Sequence, residues 1–411
     1  MSLDVEQAVV LTHDDLGRII ALLAARDGDI AGAEDSVADA VERALHIWPA
    51  KGIPQNPSGW IYRTALNLRR DVWNSAAHRT TVELDAETHE TPEPSVNEGI
   101  DELPDRRLQL LAACAHPDID PATRPLLMLS AVLNLPTRRI AEGMILPAAT
   151  VAARLTRAKK KIASNGLQMH VPDRSELHAG LSAIHEAIYG VFTIEWANAA
   201  TDLRESLAGE AVYLSELVSA LCPDDGESHG LAALIHLSVA RMNSRRSRNG
   251  ALVPLDDQDP TLWDTSHVTK GEWHLREVHR CGEIGRYAIE GSIQALHMHG
   301  VRTGKPNWGS LLRQHDHLLR IAPSLGARVS RVAILRHVEG DAGALDALSS
   351  LPKAAENYQP AWVLRSHLYH AVGRDQDAIS SLERAMTLTT VTSEYDHLSG
   401  LLARWQRAEQ S

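Results

Sequence analysis

Thr137 to Ile162 reads TRRIAEGMILPAATVAARLTRAKKKI, two helical patterns separated by a short turn. Val151, Leu155, Ala158 and Ile162 recur at helical spacing, which predicts a buried stripe on the second helix. Thr150, Arg154, Arg157 and Lys161 recur at the same spacing about 100° around the axis, which predicts an outward face. Thr137 is a candidate cap for the first helix, and Pro147 suits the first turn of the second. From Arg124 to Lys161 the basic residues are Arg124, Arg138, Arg139, Arg154, Arg157, Lys159, Lys160 and Lys161, against the single acid Glu142. The whole chain carries a formal net charge of −12. An acidic protein that gathers cations on one helix pair is expected to meet a polyanion there. A helix bearing Thr and Arg near its start suits the major groove, where Arg pairs bidentately with guanine. The Lys159-Lys160-Lys161 run suits phosphates, which give affinity without sequence information. Ile145 stands in the turn; a β-branched residue is strained at positive φ, so a turn of different shape is expected.

The chain has 411 residues, enough for several domains. Aromatic residues are 4 %, with Phe192 the single Phe, a composition that favours helices over β-sandwiches. No stretch approaches the roughly 20 apolar residues of a membrane span. The start, MSLDVEQAVVLTHDD, lacks a basic segment followed by an apolar one, so a cytoplasmic location without membrane contact is expected. Cys114, Cys222 and Cys281 form no CxxC pair, which opposes a zinc knuckle or a disulfide framework. Histidine is abundant, with 21 copies. His297/His299 and His315/His317 sit two apart, a spacing that points helical side chains to different faces. No metal or other cofactor is expected.

Outward from the basic pair, Asp29 is a plausible N-cap, and Ala33, Val37, Ala40, Ala44 and Trp48 recur as an apolar stripe. Pro49 to Pro57, PAKGIPQNP, reads as a loop. Trp60, Thr64, Leu68 and Val72 repeat in a second helix, with Arg63, Asn67 and Arg70 on a neighbouring stripe. The segment 81–103 is acidic, contains proline and reads as a flexible linker. Asn165-Gly166 is expected to stop the basic helix. From about Ser175 onward helix follows helix, interrupted chiefly by Arg241 to Asp264. Trp362, Tyr369, Gly373, Ala378, Leu382 and Ala385 fit a 34-residue helix-hairpin repeat. Gly340-Asp341 with Leu345, and Leu311, Leu318 and Pro323, mark weaker earlier units.

AEDSVADAVERALHIWP (Ala33 to Pro49) with NPSGWIYRTALNLRRD (Asn56 to Asp71) resembles region 2 of extracytoplasmic-function sigma factors. The helix pair with Ile140-Ala141-Glu142, Thr150-Val151, Arg154-Leu155 and Arg157-Ala158 resembles their region 4. CAHP (Cys114 to Pro117), LVPLDDQDPTLWD (Leu252 to Asp264), IQALH (Ile293 to His297) and the terminal GRDQDAISSLERAMTLT are similar to the group with a long tetratricopeptide-like extension.

The resemblance implies an all-α chain with region 2 over 1–80, the linker over 81–103 and region 4 over 104–165. A helical extension over 175–285 and tetratricopeptide-like repeats over 286–411 follow. It implies binding to core RNA polymerase, at the β′ clamp helices through Asp35, Asp39 and Glu42, and at the β flap. Promoter DNA would meet Lys51, Gln55, Asn56 and Trp60, which capture an unstacked −10 base, and Arg63, Asn67 and Arg70 beside them. At the −35 element, Thr150, Arg154 and Arg157 would read bases, with Arg138, Arg139, Lys159, Lys160 and Lys161 alongside. The extension would regulate or bind a partner protein, as helical-hairpin arrays do. After Asp71 this chain reads VWNSAAHRT where the family continues with several Arg; Ala38 stands where many relatives carry Gln, and FTIEW (Phe192 to Trp196) where FNEGY is usual.

The expected activity is therefore promoter-specific initiation by a non-enzymatic factor. One competing reading is a helix-turn-helix regulator that does not engage polymerase. Another is an enzyme in the C-terminal half, using His185 with Glu186 or the Asp256-Asp257 pair as acid–base groups.

Overall fold

The computed structural model describes residues 13–77, 106–116, 118–144, 146–164, 174–196, 207–247, 252–389 and 392–409. Among them the fold is all-α, with seventeen α-helices, no strand and one isolated bridge between Arg246 and Leu252. None of these helices is long and apolar enough to cross a membrane. The chain divides into two compact units, 1–211 and 212–411.

The first unit holds α1 (His13–Asp27), α2 (Ile30–Lys51), α3 (Pro57–Ala77), α4 (Arg107–Cys114), α5 (Arg124–Ala131), α6 (Thr137–Gly143), α7 (Ala148–Ser164) and α8 (Arg174–Trp196). Asp29 caps α2 by accepting from the Gly32 amide at 3.0 Å, which satisfies one orphan donor of the first turn. The expected stripe Ala33, Val37, Ala40, Ala44 and Trp48 is buried. The loop expected from Pro49 is shorter: α2 runs through Pro49 to Lys51 and ends at Gly52, φ +84°. Pro49 and Leu45 both lie on the exposed side, where the carbonyl that loses its intrahelical donor can turn to water. Arg69 of α3 is buried and pairs with Asp27 and, at 3.7 Å, with Asp29, pinning α3 to the α1–α2 turn.

Helix α5 is the centre of this unit: Leu126 to Ala131 are all buried. It packs against α1, α4, α6, α7 and α8. Helix α8 covers α4, α5 and α6. The helical domain expected to begin at 175 therefore gives its first helix to the unit that holds the basic pair. The linker 81–103, Ile145 and Asn165-Gly166 lie outside the described residues.

The second unit holds most of α9 (Leu207–Leu221), then α10 (Gly226–Ala240), α11 (Thr265–Cys281), α12 (Arg286–Thr303), α13 (Trp308–Ile321), α14 (Leu325–Ser349), α15 (Gln359–Ala371), α16 (Asp375–Leu388) and α17 (Thr392–Glu409). Helix α10 is buried on every side between α11 and α12, as expected of a central helix. Gly230 allows the α10–α12 approach: a Cβ there would lie 2.3 Å from the Ala288 amide nitrogen. Helices α15 and α16 form the expected hairpin, turning at Gly373 with φ +75°, and Ala378, Leu382 and Ala385 are buried. Helix α14 breaks at Gly340, φ 85° and ψ 167°, where the sequence placed a hairpin turn.

The interruption from Arg241 to Asp264 is a packed strap, with 248–251 outside the described residues. Buried Arg241 donates to Gln258 Oε1 at 3.1 Å, Ser244 donates to the same oxygen at 3.1 Å, and Trp263 Nε1 donates to Ser244 at 3.0 Å. The Asp264 amide closes the strap on the Ala240 carbonyl at 2.9 Å.

Candidate nucleic-acid interface and a buried histidine cluster

Helix α7 buries Val151, Leu155, Ala158 and Ile162, the stripe read from its spacing. That burial turns Arg157 and Lys161 to solvent and leaves Thr150 and Arg154 half-buried. Arg154, Arg157 and Lys161 line a cleft of about 460 Å³ with Asp118, Asp120 and Thr123. Lys161 donates to the Asp118 carbonyl at 2.6 Å. The two aspartates lie just before the basic stretch, so they moderate its charge locally. On α6, Arg138 is exposed and pairs with Glu142 at 3.0 Å, while Arg139 is half-buried. Thr137 does not cap α6: Pro136 holds the cap position, without a side-chain bond, and Thr137 is the first helical residue.

The three lysines part company. Lys160 is exposed, but Lys159 turns inward to pair with Glu34 of α2 and donates to Ser130 Oγ at 3.0 Å. The phosphate role expected of Lys159 does not match this placement, because only 14 % of its side chain is exposed. Burial pushes the Glu34 carboxyl up, and the Lys159 charge pulls it back.

On α2, Asp35, Asp39 and Glu42 are exposed at i, i+4 and i+7, one face of the helix. Arg63, Asn67 and Arg70 are exposed on α3 with the same spacing. Lys51, the last residue of α2, and Gln55, in the turn before α3, are exposed. Asn56 is engaged locally, where its Oδ1 accepts from the Gly59 amide at 2.8 Å at the start of α3. Trp60 is half-buried, edge-on to Trp48 with ring centroids 5.5 Å apart. Phe192 is buried, and the Trp196 side chain lies outside the described residues. For the enzymatic reading, His185 is buried, while Asp256 and Asp257 are exposed on a short 3₁₀ turn.

The two His-x-His pairs split as their spacing implies: His315 is buried and His317 half-buried, His297 half-buried and His299 exposed. A different set comes together. Glu216 of α9, His236 of α10 and His274 of α11 place one ligand atom each within 4.8 Å of one another. His236 Nε2 lies 2.7 Å from Glu216 Oε1, and His274 Nε2 lies 3.6 Å from Oε2. Behind them, His236 Nδ1 meets His267 Nδ1 at 2.7 Å, and His274 Nδ1 meets His229 Nδ1 at 2.9 Å. Lys270 reaches Glu216 Oε1 at 3.0 Å from the solvent side. The hydrogen-bonded His236 ring, with Lys270 beside it, holds the Glu216 carboxyl far below the ordinary carboxylate range. Burial lowers His229, His236 and His267. The signal was present in the sequence: His229/His236 and His267/His274 are both seven apart, two turns along one helix face. The pairs two apart do not reveal it.

Residues 180–279 match the family described as "Family of unknown function (DUF6596)", a segment that contains all five residues of the cluster. No solved structure matches the chain. Over 370 residues it is 30 % identical to "Uncharacterized protein R00370" of Rhizobium meliloti (strain 1021), across 88 % of this chain and 87 % of that protein. The chain thus belongs to the family of protein R00370, with the DUF6596 segment lying inside it.

Proposed function

We propose that this protein is a sigma factor of the extracytoplasmic-function type, which binds core RNA polymerase and directs promoter-specific initiation. The observation that carries the reading is the α6–α7 pair, whose buried stripe fixes Arg154, Arg157 and Lys161 on one accessible side of α7. Guanidinium groups so placed suit bidentate readout of guanine, and neighbouring lysines suit phosphates. The acidic face of α2 supports the polymerase contact, and the basic face of α3 supports contact with the −10 strand. The second unit regulates the factor or binds a partner protein, as stacked helical hairpins do. The factor itself catalyses nothing.

Packing of α7 on α2 favours a second reading, a DNA-binding regulator that does not engage polymerase, since the acidic helix is partly occupied by the basic one. Reconstitution separates the two. The sigma reading expects transcription from a mapped promoter when the full chain is added to core polymerase, and loss of it in Arg154→Ala. Promoter binding by the chain alone, with no transcription in the presence of core polymerase, would establish the regulator instead.

A further inference from the structure

Nothing in promoter recognition calls for the histidine cluster of the second unit, and its hydrogen positions can be reasoned out. His229 Nε2 lies 3.2 Å from the Pro223 carbonyl. A carbonyl only accepts, so in the neutral ring the proton sits on Nε2 and Nδ1 carries a lone pair. His274 Nδ1, 2.9 Å away, must then donate. That leaves a lone pair on Nε2 of neutral His274. This atom is buried and has no hydrogen-bond partner among the described residues. It faces Glu216 Oε2 at 3.6 Å, beyond hydrogen-bonding distance, so one acceptor confronts another. A buried acceptor left in this way is costly, and a cation between the two atoms relieves it.

We propose that Glu216, His236 and His274 form a binding site for one divalent transition-metal ion of the zinc type. Two imidazoles and a carboxylate are a known three-ligand set for such ions, and they leave a further position open. In a tetrahedral zinc site with bonds of about 2.0 Å, ligand atoms lie about 3.3 Å apart. The present separations, 2.7 Å from His236 to one carboxylate oxygen and 3.6 Å from His274 to the other, are close to that value, and one ligand atom from each residue lies within 4.8 Å of the others. The second shell is already built. His229 Nδ1 accepts a hydrogen bond from His274 Nδ1–H, and its own Nε2–H is anchored on the Pro223 carbonyl. His267 Nδ1 can accept a hydrogen bond from His236 Nδ1–H. Ring N–H groups held in this way fix the tautomer of a ligating histidine and raise its basicity. On binding, the His236 proton moves from Nε2 to Nδ1 and that of His267 from Nδ1 to Nε2, so no net proton is released. Trp273 lies edge-on to both His229 and His274 and shields that end. Lys270 opposes the ion, but its side chain is 57 % exposed and can withdraw into solvent. The ligands come from α9, α10 and α11, so the ion would staple three helices.

The test uses the full chain, stripped with a chelator and titrated with Zn²⁺ alone against a chromophoric competitor. Far-ultraviolet circular dichroism confirms that each variant is folded. One tight equivalent is expected, accompanied by a raised melting temperature, and Co²⁺ in its place should give visible d–d absorption. Glu216→Gln and His274→Gln should each weaken that equivalent by at least about 100-fold, and His267→Ala by about 10–100-fold. Lys270→Met should strengthen it by removing a cation. Absence of a tight equivalent would mean that a proton on His274 fills the gap, and would overturn the proposal. So would a tight equivalent that survives in Glu216→Gln, which would place the ion on other histidines. Neither result bears on polymerase binding, which is measured separately.

Discussion

Lys159 on α7 pairs with Glu34 on α2, with both side chains largely buried at 14 % and 20 % exposure. The same ammonium donates to Ser130 Oγ of α5 at 3.0 Å, so one cation joins three helices. Lys159→Ala strands a buried carboxylate. It is expected to cost about 2–3 kcal/mol, below the cost for a fully buried pair because both tips keep some water. Urea denaturation of the variant against the parent chain measures this. A change under about 0.5 kcal/mol would place the pair with ordinary surface ion pairs.

The placement of the lysines separates two effects on DNA affinity. Lys160→Ala should reduce the slope of log affinity against log salt by about 1, the signature of one lost phosphate contact. Lys159→Ala should leave that slope unchanged while lowering stability. If Lys159→Ala reduces the slope as much as Lys160→Ala, the pair with Glu34 opens on DNA.

Arg154→Ala and Arg157→Ala should each lose about 1–3 kcal/mol of discrimination at one promoter base. Binding to a panel of single-base promoter variants checks this. Uniform weakening across the panel would assign both residues to phosphates.

Acid should loosen the second unit through His315. This ring is 5 % exposed, and its Nδ1 has no hydrogen-bond partner among the described residues. Burial first, then the nearby His297, lowers it from 6.5 to about 4, with Arg331 lowering it further and Asp316 pulling the other way. A lowered histidine favours the fold above its unfolded value, and that contribution is lost as pH falls from 6.5 towards about 4. At about 1.4 kcal/mol per pH unit the loss approaches about 3 kcal/mol. His315→Gln should flatten the decline in urea midpoint between pH 7 and pH 4.5. A parallel decline in the variant would assign the loss to the other histidines of the unit that burial lowers, His229, His236, His267, His297, His337 and His367.

Two glycines should respond differently to alanine. Gly373→Ala meets open space but a φ of +75°, so the cost is left-handed strain of about 1 kcal/mol. Gly230→Ala drives a methyl into the Ala288 backbone, with contacts of 2.3 and 2.6 Å. Backbone cannot swing aside as a side chain can, so the cost should be about 3 kcal/mol or more. Thermal melts of the two variants rank them.

Most of the helical framework was legible because periodicity reports which face is buried. The α7 stripe and the α2 stripe were both readable in this way. The buried charges were not. Lys159 sits in a lysine run, and Arg69 is followed directly by exposed Arg70; composition treats such neighbours alike. Only the partners, Glu34 and Asp27, distinguish them, and these lie far away along the chain. Pro49 misled for a related reason. A proline signals a loop locally, yet on the exposed side of a last turn it removes a bond that water replaces. The histidine ladder failed to register because its heptad spacing, although visible, acquires meaning only when α10 and α11 lie side by side.

The strap between α10 and α11 bears on how the second unit would survive being cut. The strap carries Arg241, Arg245, Arg246 and Arg248, residues after which trypsin-like proteases cleave. Its ends meet at the Ala240 carbonyl and the Asp264 amide, and Arg241, Ser244, Gln258 and Trp263 bind one half of it to the other. A nick within the strap would therefore leave two fragments that remain associated and helical. The same closeness of ends marks the strap as a place where a further segment can be inserted without undoing the helices on either side.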